Sequence, residues 1–131
     1  DGKVRLVFKE LPILGPESVV AARAALAARK QGKYEDFHRT MMKLRGVVNE
    51  ESILKTAQSV GLNLDTLKKD MAAPAVEEQL KRNMELARAL DISGTPAFIV
   101  GDRIIPGVVD ADTLKKLIEQ SRKPTEVLKK G

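Results

Sequence analysis

The chain has 131 residues, of which 43% are hydrophobic and 31% charged, a composition typical of a globular domain with its own core. Its 23 basic and 18 acidic residues give a net charge of +5, but they are interleaved and accompanied by only three Phe and one Tyr, so we predict no nucleic-acid partner. Because the chain has no cysteine and a single histidine, it excludes disulfides, thiolate sites and cysteine nucleophiles within itself, and we predict neither a metal nor a cofactor.

The first predicted element is a β-strand at residues 4–10. Val4, Leu6 and Phe8 alternate with polar or smaller neighbours, which is the period-two pattern of a strand with one buried face. A run of turn-forming residues follows, and Pro16 precedes an acidic residue in the manner of a helix start. We therefore expect a helix from about residue 17.

Residues 17–91 show only helical periodicity. Apolar residues recur at spacings of three, four and seven, and the pattern divides into five helices. Asn49 is placed to cap the third of these helices, and Pro74 suits the first turn of the fifth. We predict that residues 17–91 form an inserted helical subdomain.

The periodicity changes after residue 91. Residues 92–96 form a predicted loop, and the apolar run at 97–100 suits a strand that is buried on both faces. Gly101-Asp102 is a typical hairpin turn leading into a returning strand at 103–105. A last helix is expected to start near Asp110 or Asp112, and residues 124–131 form a polar tail. We group residues 92–123 with residues 1–16 as the sheet-forming part.

Three stretches of this sequence resemble the DsbA family of thiol-disulfide oxidoreductases over residues 3–122. They are the strand at 4–10 followed by Leu-Pro-Ile-Leu-Gly-Pro-Glu-Ser at 11–18, the run at 34–38 that ends in Phe37-His38, and Ile-Ser-Gly-Thr-Pro-Ala-Phe-Ile-Val-Gly-Asp at 92–102. The resemblance implies an α/β, thioredoxin-like (DsbA-type) fold with a multi-helix insertion. It also implies that the Cys-x-x-Cys motif and the strand before it lie upstream, so the fold is expected to be incomplete at the N-terminus and to hold no catalytic residue in this chain.

The same resemblance implies a substrate-binding loop formed by Gly94, Thr95 and Pro96. In this family the proline is cis and faces the active-site disulfide, and the backbone before it offers strand-like hydrogen bonds to a polypeptide. The residue types alone leave the isomer open, because only about 5–6% of X-Pro bonds in folded proteins are cis. Gly94 would allow a ligand to approach the backbone closely.

Three further polar residues have two interpretations each. Lys9 and Glu10 lie at the end of the first predicted strand, where they either are solvated or tune the pKa of a cysteine. His38 is interpreted as a surface or helix-packing histidine in preference to a catalytic one.

The methionines at 41, 42 and 71 are interpreted as core residues.

The resemblance implies that the parent protein catalyses thiol-disulfide exchange on cysteine-containing polypeptides, together with a redox partner protein, in the periplasm or another extracytoplasmic compartment. Two alternatives stay open: a redox-inactive, thioredoxin-like peptide-binding module, and an enzyme like the kappa-class glutathione transferases. No stretch reaches the roughly 20 apolar residues of a membrane span. A missing strand between 4–10 and 97–100 would expose strand edges, through which copies of the chain could form a homo-oligomer.

Overall fold

The computed structural model describes residues 2–123, so the predicted polar tail at 124–131 lies outside the described residues. The chain divides between Leu90 and Asp91 into two compact units. The first unit contains the predicted helical block, and the second contains a β-hairpin and a helix.

The first unit contains the five predicted helices. Their bounds are Pro16–Ala28 (α1), Tyr34–Met42 (α2), Glu50–Ser59 (α3), Leu64–Met71 (α4) and Pro74–Ala89 (α5), with a short 3₁₀ turn, Arg29–Gln31, after α1. Two predicted helix starts are confirmed. The Asn49 side chain accepts a hydrogen bond from the backbone N–H of Ser52, which closes a capping box at α3, and Pro74 occupies the first turn of α5.

Helix α1 lies at the centre of the first unit and contacts each of the other four helices. Its buried side chains are mostly alanines, which allow neighbouring helices to approach closely. Phe37, Ile53 and Leu67 are the largest fully buried side chains, one each from α2, α3 and α4. These three residues fill the space around α1 and form the core of the helical unit.

The predicted strand at residues 4–10 is wrong for the part of the chain that the structure describes. This segment forms no strand, and the sheet of residues 2–123 contains only the hairpin of the second unit. Val4, Leu6 and Val7 are each more than half exposed. A segment with alternating apolar residues forms a strand only when a neighbouring strand pairs with its backbone N–H and C=O groups. No such neighbour lies beside this segment within the described residues.

Residues 2–15 belong to the same compact unit as the helices. They are linked to the helices by Glu10, which contacts α2 and α5, and by the Phe8 ring, which lies against Tyr34 and His38 of α2. The division after residue 90 lies one residue from the predicted boundary at 91/92. The joint assignment of 1–16 with 92–123 to one sheet-forming part stays a prediction.

The second unit consists of β1 (Ala97–Val100), β2 (Arg103–Pro106) and α6 (Ala111–Ser121). The strands pair antiparallel across the predicted Gly101-Asp102 turn, where Gly101 has a φ of +62°, a left-handed conformation that favours glycine. The side chain of Asp110 caps α6 by accepting a hydrogen bond from the backbone N–H of Thr113. These elements confirm the predicted hairpin and final helix.

The expectation that residues 97–100 are buried on both faces is wrong within the described residues. Ile99 is 49% exposed, and its partner across the hairpin, Ile104, is 41% exposed. Helix α6 packs against β1. Because one helix can cover only one face of a hairpin, the second unit on its own leaves the other face open.

Candidate functional site

The three predicted substrate-binding residues lie side by side in an exposed loop that leads into β1. Gly94, Thr95 and Pro96 are all exposed, and a methyl group added at Gly94 would meet no other heavy atom within 4 Å. The Thr95–Pro96 peptide bond is cis, which is the isomer that the family resemblance implies. The loop therefore has open space around the backbone positions at which we expect a polypeptide to bind.

One edge of β1 carries backbone groups that point away from β2. The backbone N–H of Gly107 donates to the carbonyl oxygen of Pro96 at 2.9 Å, which places that pair at a hydrogen-bonded position of the antiparallel ladder. Because hydrogen-bonded and non-hydrogen-bonded pairs alternate, Ala97 and Ile99 direct their N–H and C=O groups to the opposite side. Thr95 comes directly before this edge, and its own N–H and C=O make no hydrogen bond with the rest of residues 2–123.

The outer edge of β2 is less suited to pairing. Pro106 pairs with Ala97 and has no backbone N–H, so that edge lacks one of its donors. An extended peptide that adds to a sheet uses main-chain hydrogen bonds along a free edge. Of the two edges of this hairpin, the one formed by β1 offers the more complete set of donors and acceptors.

A second cluster of polar side chains lies in the first unit, around Glu10. The Oε1 atom of Glu10 accepts a hydrogen bond from the hydroxyl of Tyr34 at 2.6 Å and lies 2.7 Å from Nδ1 of His38. The side chains of Glu10 and His38 are only 14% and 18% exposed. The main chain of Glu10 is held as well, because Nδ2 of Asn83 donates to its carbonyl oxygen at 3.0 Å. We call Glu10, Tyr34, His38 and Asn83 the Glu10 cluster.

Aromatic contacts surround the Glu10 cluster. The rings of Phe8 and His38 lie 4.8 Å apart between centroids, and the Tyr34 ring stacks on His38 at 5.6 Å. The guanidinium of Arg29 lies over the Tyr34 ring, 4.9 Å from its centroid. Burial raises the pKa of the Tyr34 hydroxyl, and its hydrogen bond to the negative Glu10 raises that pKa further, against a smaller opposing effect of Arg29. Tyr34 is therefore a permanent hydrogen-bond donor to Glu10.

The sequence interpretation found two members of the Glu10 cluster and missed the other two. Glu10 and His38 are singled out from the sequence, whereas neither Tyr34 nor Asn83 is given a polar role there. A signal for Asn83 existed, because this polar residue follows Val76 and Leu80 on the buried face of α5. Lys9 is exposed and takes no part in the cluster. No group of three or more His, Cys, Asp or Glu residues within 2–123 is arranged to hold a metal ion.

Residues 2–119 match the DSBA-like thioredoxin domain. The chain belongs to this family. A thioredoxin-like oxidoreductase from Silicibacter pomeroyi DSS-3 is 45% identical, with a TM-score of 0.88 over 91% of this chain and 69% of that one. The thiol-disulfide exchange protein alpha-DsbA2 from Wolbachia pipientis is 32% identical, with a TM-score of 0.82 over 87% of this chain and 63% of that one. The predicted thioredoxin-like, DsbA-type fold is confirmed.

The chain is also similar to part of a protein with a different name. The Na(+)/H(+) antiporter NhaA of Herminiimonas arsenicoxydans is 31% identical over 122 residues, which are 93% of this chain. The chain spans only 20% of the length of that relative. Within residues 2–123, no helix has both the length and the apolar character needed to cross a membrane.

Proposed function

We propose that this domain forms the polypeptide-binding part of a DsbA-type protein thiol-disulfide oxidoreductase, with Gly94, Thr95 and Pro96 contacting the substrate. The observation that carries the proposal is the exposed loop of Gly94, Thr95 and Pro96 in a domain of the DSBA-like family, in which the N–H and C=O groups of Thr95 make no hydrogen bond with the rest of residues 2–123. Support also comes from the similarity to proteins named as a thioredoxin-like oxidoreductase and a thiol-disulfide exchange protein.

The redox chemistry has to be supplied by a cysteine pair outside this sequence, since the chain contains no cysteine. A substrate thiolate attacks one sulfur of the oxidised pair, which forms a mixed disulfide and releases the other sulfur as a thiolate. The second substrate thiolate then attacks the mixed disulfide, so the substrate gains a disulfide and the pair becomes a dithiol. A redox partner protein takes up the two electrons, and an extracytoplasmic compartment such as the periplasm suits this direction of exchange.

The contribution of the present chain is to align the polypeptide. An extended substrate segment that pairs with the main chain of Thr95 would be held by hydrogen bonds that do not depend on its side chains, while the upstream strand that the family resemblance implies would take the free edge formed by Ala97 and Ile99. That mode of binding suits an enzyme with many polypeptide substrates. The same free edge could pair two copies of the chain, and a mass that rises with protein concentration in light scattering would reveal such a homo-oligomer.

Thr95 provides a test of main-chain binding at this loop. Thr95→Pro removes the N–H of Thr95, and Ser93→Pro is the matched control, because Ser93 is exposed two positions earlier and its N–H also makes no hydrogen bond with the rest of residues 2–123. We expect Thr95→Pro to abolish binding of an unfolded, cysteine-containing peptide, measured by fluorescence anisotropy, and Ser93→Pro to leave it unchanged. Equal losses in both variants, or no loss in Thr95→Pro, would refute binding at the Thr95 main chain.

A redox-inactive peptide-binding module is the second candidate, and the absence of cysteine favours it. The two candidates are separated by a thiol count and intact mass on the protein purified from its natural source, before and after reduction. A reducible cysteine pair in the same polypeptide, together with turnover in a disulfide-formation assay, supports the oxidoreductase. Peptide binding without any such pair supports the binding module.

A further inference from the structure

We propose that Met42 is a reversible oxidation site, at which a peroxide converts the thioether to a sulfoxide and the fold is retained. Met42 is the last residue of α2 and is 71% exposed. The interpretation of Met42 as a core residue is therefore wrong. An exposed thioether is open to oxidants in the solvent, whereas a thioether packed among apolar side chains is shielded from them.

The other methionines of the chain are less accessible than Met42. The chain has four methionines. Met41 and Met71 are partly buried and pack against the core of the helical unit, and Met84 is 37% exposed. This order of exposure predicts that oxidation begins at Met42, continues at Met84 and reaches Met41 and Met71 last.

Met41 provides an internal comparison, because it directly precedes Met42 in α2. Successive residues of an α-helix point about 100° apart around its axis. This rotation lets Met41 pack against the core while Met42 faces the solvent. The two side chains have the same chemistry at the same end of one helix, so a difference in their oxidation rates measures the effect of burial.

Exposure also decides whether the fold tolerates the oxidised product. The sulfoxide oxygen is a polar acceptor, and it costs stability wherever it is buried without a hydrogen-bond donor. At the exposed Met42, water supplies the donor. At Met41 or Met71 the same oxygen would be placed beside the apolar core of the helical unit. Oxidation of Met42 should therefore leave the stability unchanged, and oxidation of Met41 or Met71 should lower it.

The reaction needs a peroxide in one direction and a dithiol in the other. The sulfur of Met42 attacks one oxygen of hydrogen peroxide, the O–O bond breaks, and the second oxygen leaves as water. The thioether thereby loses two electrons to the peroxide. Methionine sulfoxide reductases return these electrons: two thiols become a disulfide, and the sulfoxide oxygen leaves as water. Met42 can therefore take up oxidant repeatedly.

Peptide mapping by mass spectrometry, over time in dilute hydrogen peroxide, tests the site. Met41 and Met42 share one tryptic peptide, residues 40–43, so fragment ions have to assign the oxygen to one or the other. We expect Met42 to gain oxygen at least about fivefold faster than Met41 and Met71. The two epimer-specific reductases with dithiothreitol should then restore the original mass. Equal rates at Met41 and Met42, or a Met42 sulfoxide that the reductases leave in place, would overturn the proposal.

Glutamine substitutions test the tolerance of the fold separately, because glutamine is unbranched and polar like methionine sulfoxide. Met42→Gln should melt within about 2 °C of the wild type, and Met41→Gln at least about 4 °C lower. Wild-type chain in which Met42 alone has been oxidised should also melt within about 2 °C of the untreated chain. A fall for Met42→Gln as large as that for Met41→Gln, or unfolding of the chain oxidised at Met42, would contradict the proposal.

Discussion

The buried amide of Asn83 should stabilise the first unit through a single main-chain contact. Asn83 is 5% exposed, and it donates through Nδ2 to the Glu10 carbonyl oxygen at 3.0 Å while its Oδ1 accepts from Gln79 at 2.9 Å. Asn83→Leu keeps a side chain of similar size and leaves the carbonyl of Glu10 without this donor. An orphaned, partly buried acceptor costs about 1–3 kcal/mol. Since the added apolar surface offsets part of that cost, we expect a net loss of about 1–2 kcal/mol.

Urea unfolding followed by circular dichroism measures this loss, and linear extrapolation gives the free energy of unfolding. For a domain of this size the loss corresponds to a fall in melting temperature of roughly 3–8 °C. Arg82→Ala is the control, because it breaks only the exposed ion pair with Glu78 on the same helix and should cost no more than about 0.5 kcal/mol. If Asn83→Leu were as stable as the wild type, or if Arg82→Ala lost as much as Asn83→Leu, the buried amide of Asn83 would not be what stabilises the first unit.

Three further substitutions test local structure. Gly101→Ala should destabilise the hairpin by about 1 kcal/mol or more in thermal unfolding, because φ is +62° and the new Cβ would lie 3.0 Å from Cβ of Ser121. Asn49→Ala should cost about 1 kcal/mol in the same assay through loss of the α3 cap. The hydrogen bonds from Thr113 lower the pKa of Asp110, so its contribution is present above the pKa of an unfolded aspartate and is lost as the pH falls through the folded value. Asp110→Asn should remove this acid-side dependence, and a carboxyl NMR titration of the wild type should show the lowered pKa.

The helices could be predicted because their signals are local. Asn49 is three residues from the N–H that it caps, and Pro74 acts within its own turn. Residues close together in the sequence are therefore enough to predict where these helices begin. The Gly101-Asp102 turn is equally local, and it was predicted together with both of its strands. The binding role of Gly94, Thr95 and Pro96 stays a prediction, and it rests on the resemblance to a family.

The Glu10 cluster could not be predicted, because its members come from distant parts of the chain. Glu10 is 24 positions from Tyr34 and 73 positions from Asn83. Tyr34 and His38 do share one face of α2 at a spacing of four residues, so the sequence indicates that their side chains are neighbours. It does not identify the residue that both of them contact. Only the tertiary structure shows that Glu10, for which a solvated charge is one of the two interpretations from sequence, is their common partner.

The two wrong expectations about strands have one physical cause. Residues 4–10 alternate as a strand does, and residues 97–100 are continuously apolar, yet Leu6 is 64% and Ile99 is 49% exposed. Both patterns show which side chains are suited to burial, but burial in a sheet depends on neighbouring strands, which can lie far away in the sequence. A strand that added to the free edge of β1 would take up the outward N–H and C=O groups of Ala97 and Ile99, and it would also lie beside the exposed Ile99 side chain. The hydrogen bonds and the apolar contact would therefore form together, which is why we expect the β1 edge, in preference to the proline-containing edge of β2, to be the place where the missing strand of the sheet pairs with this domain.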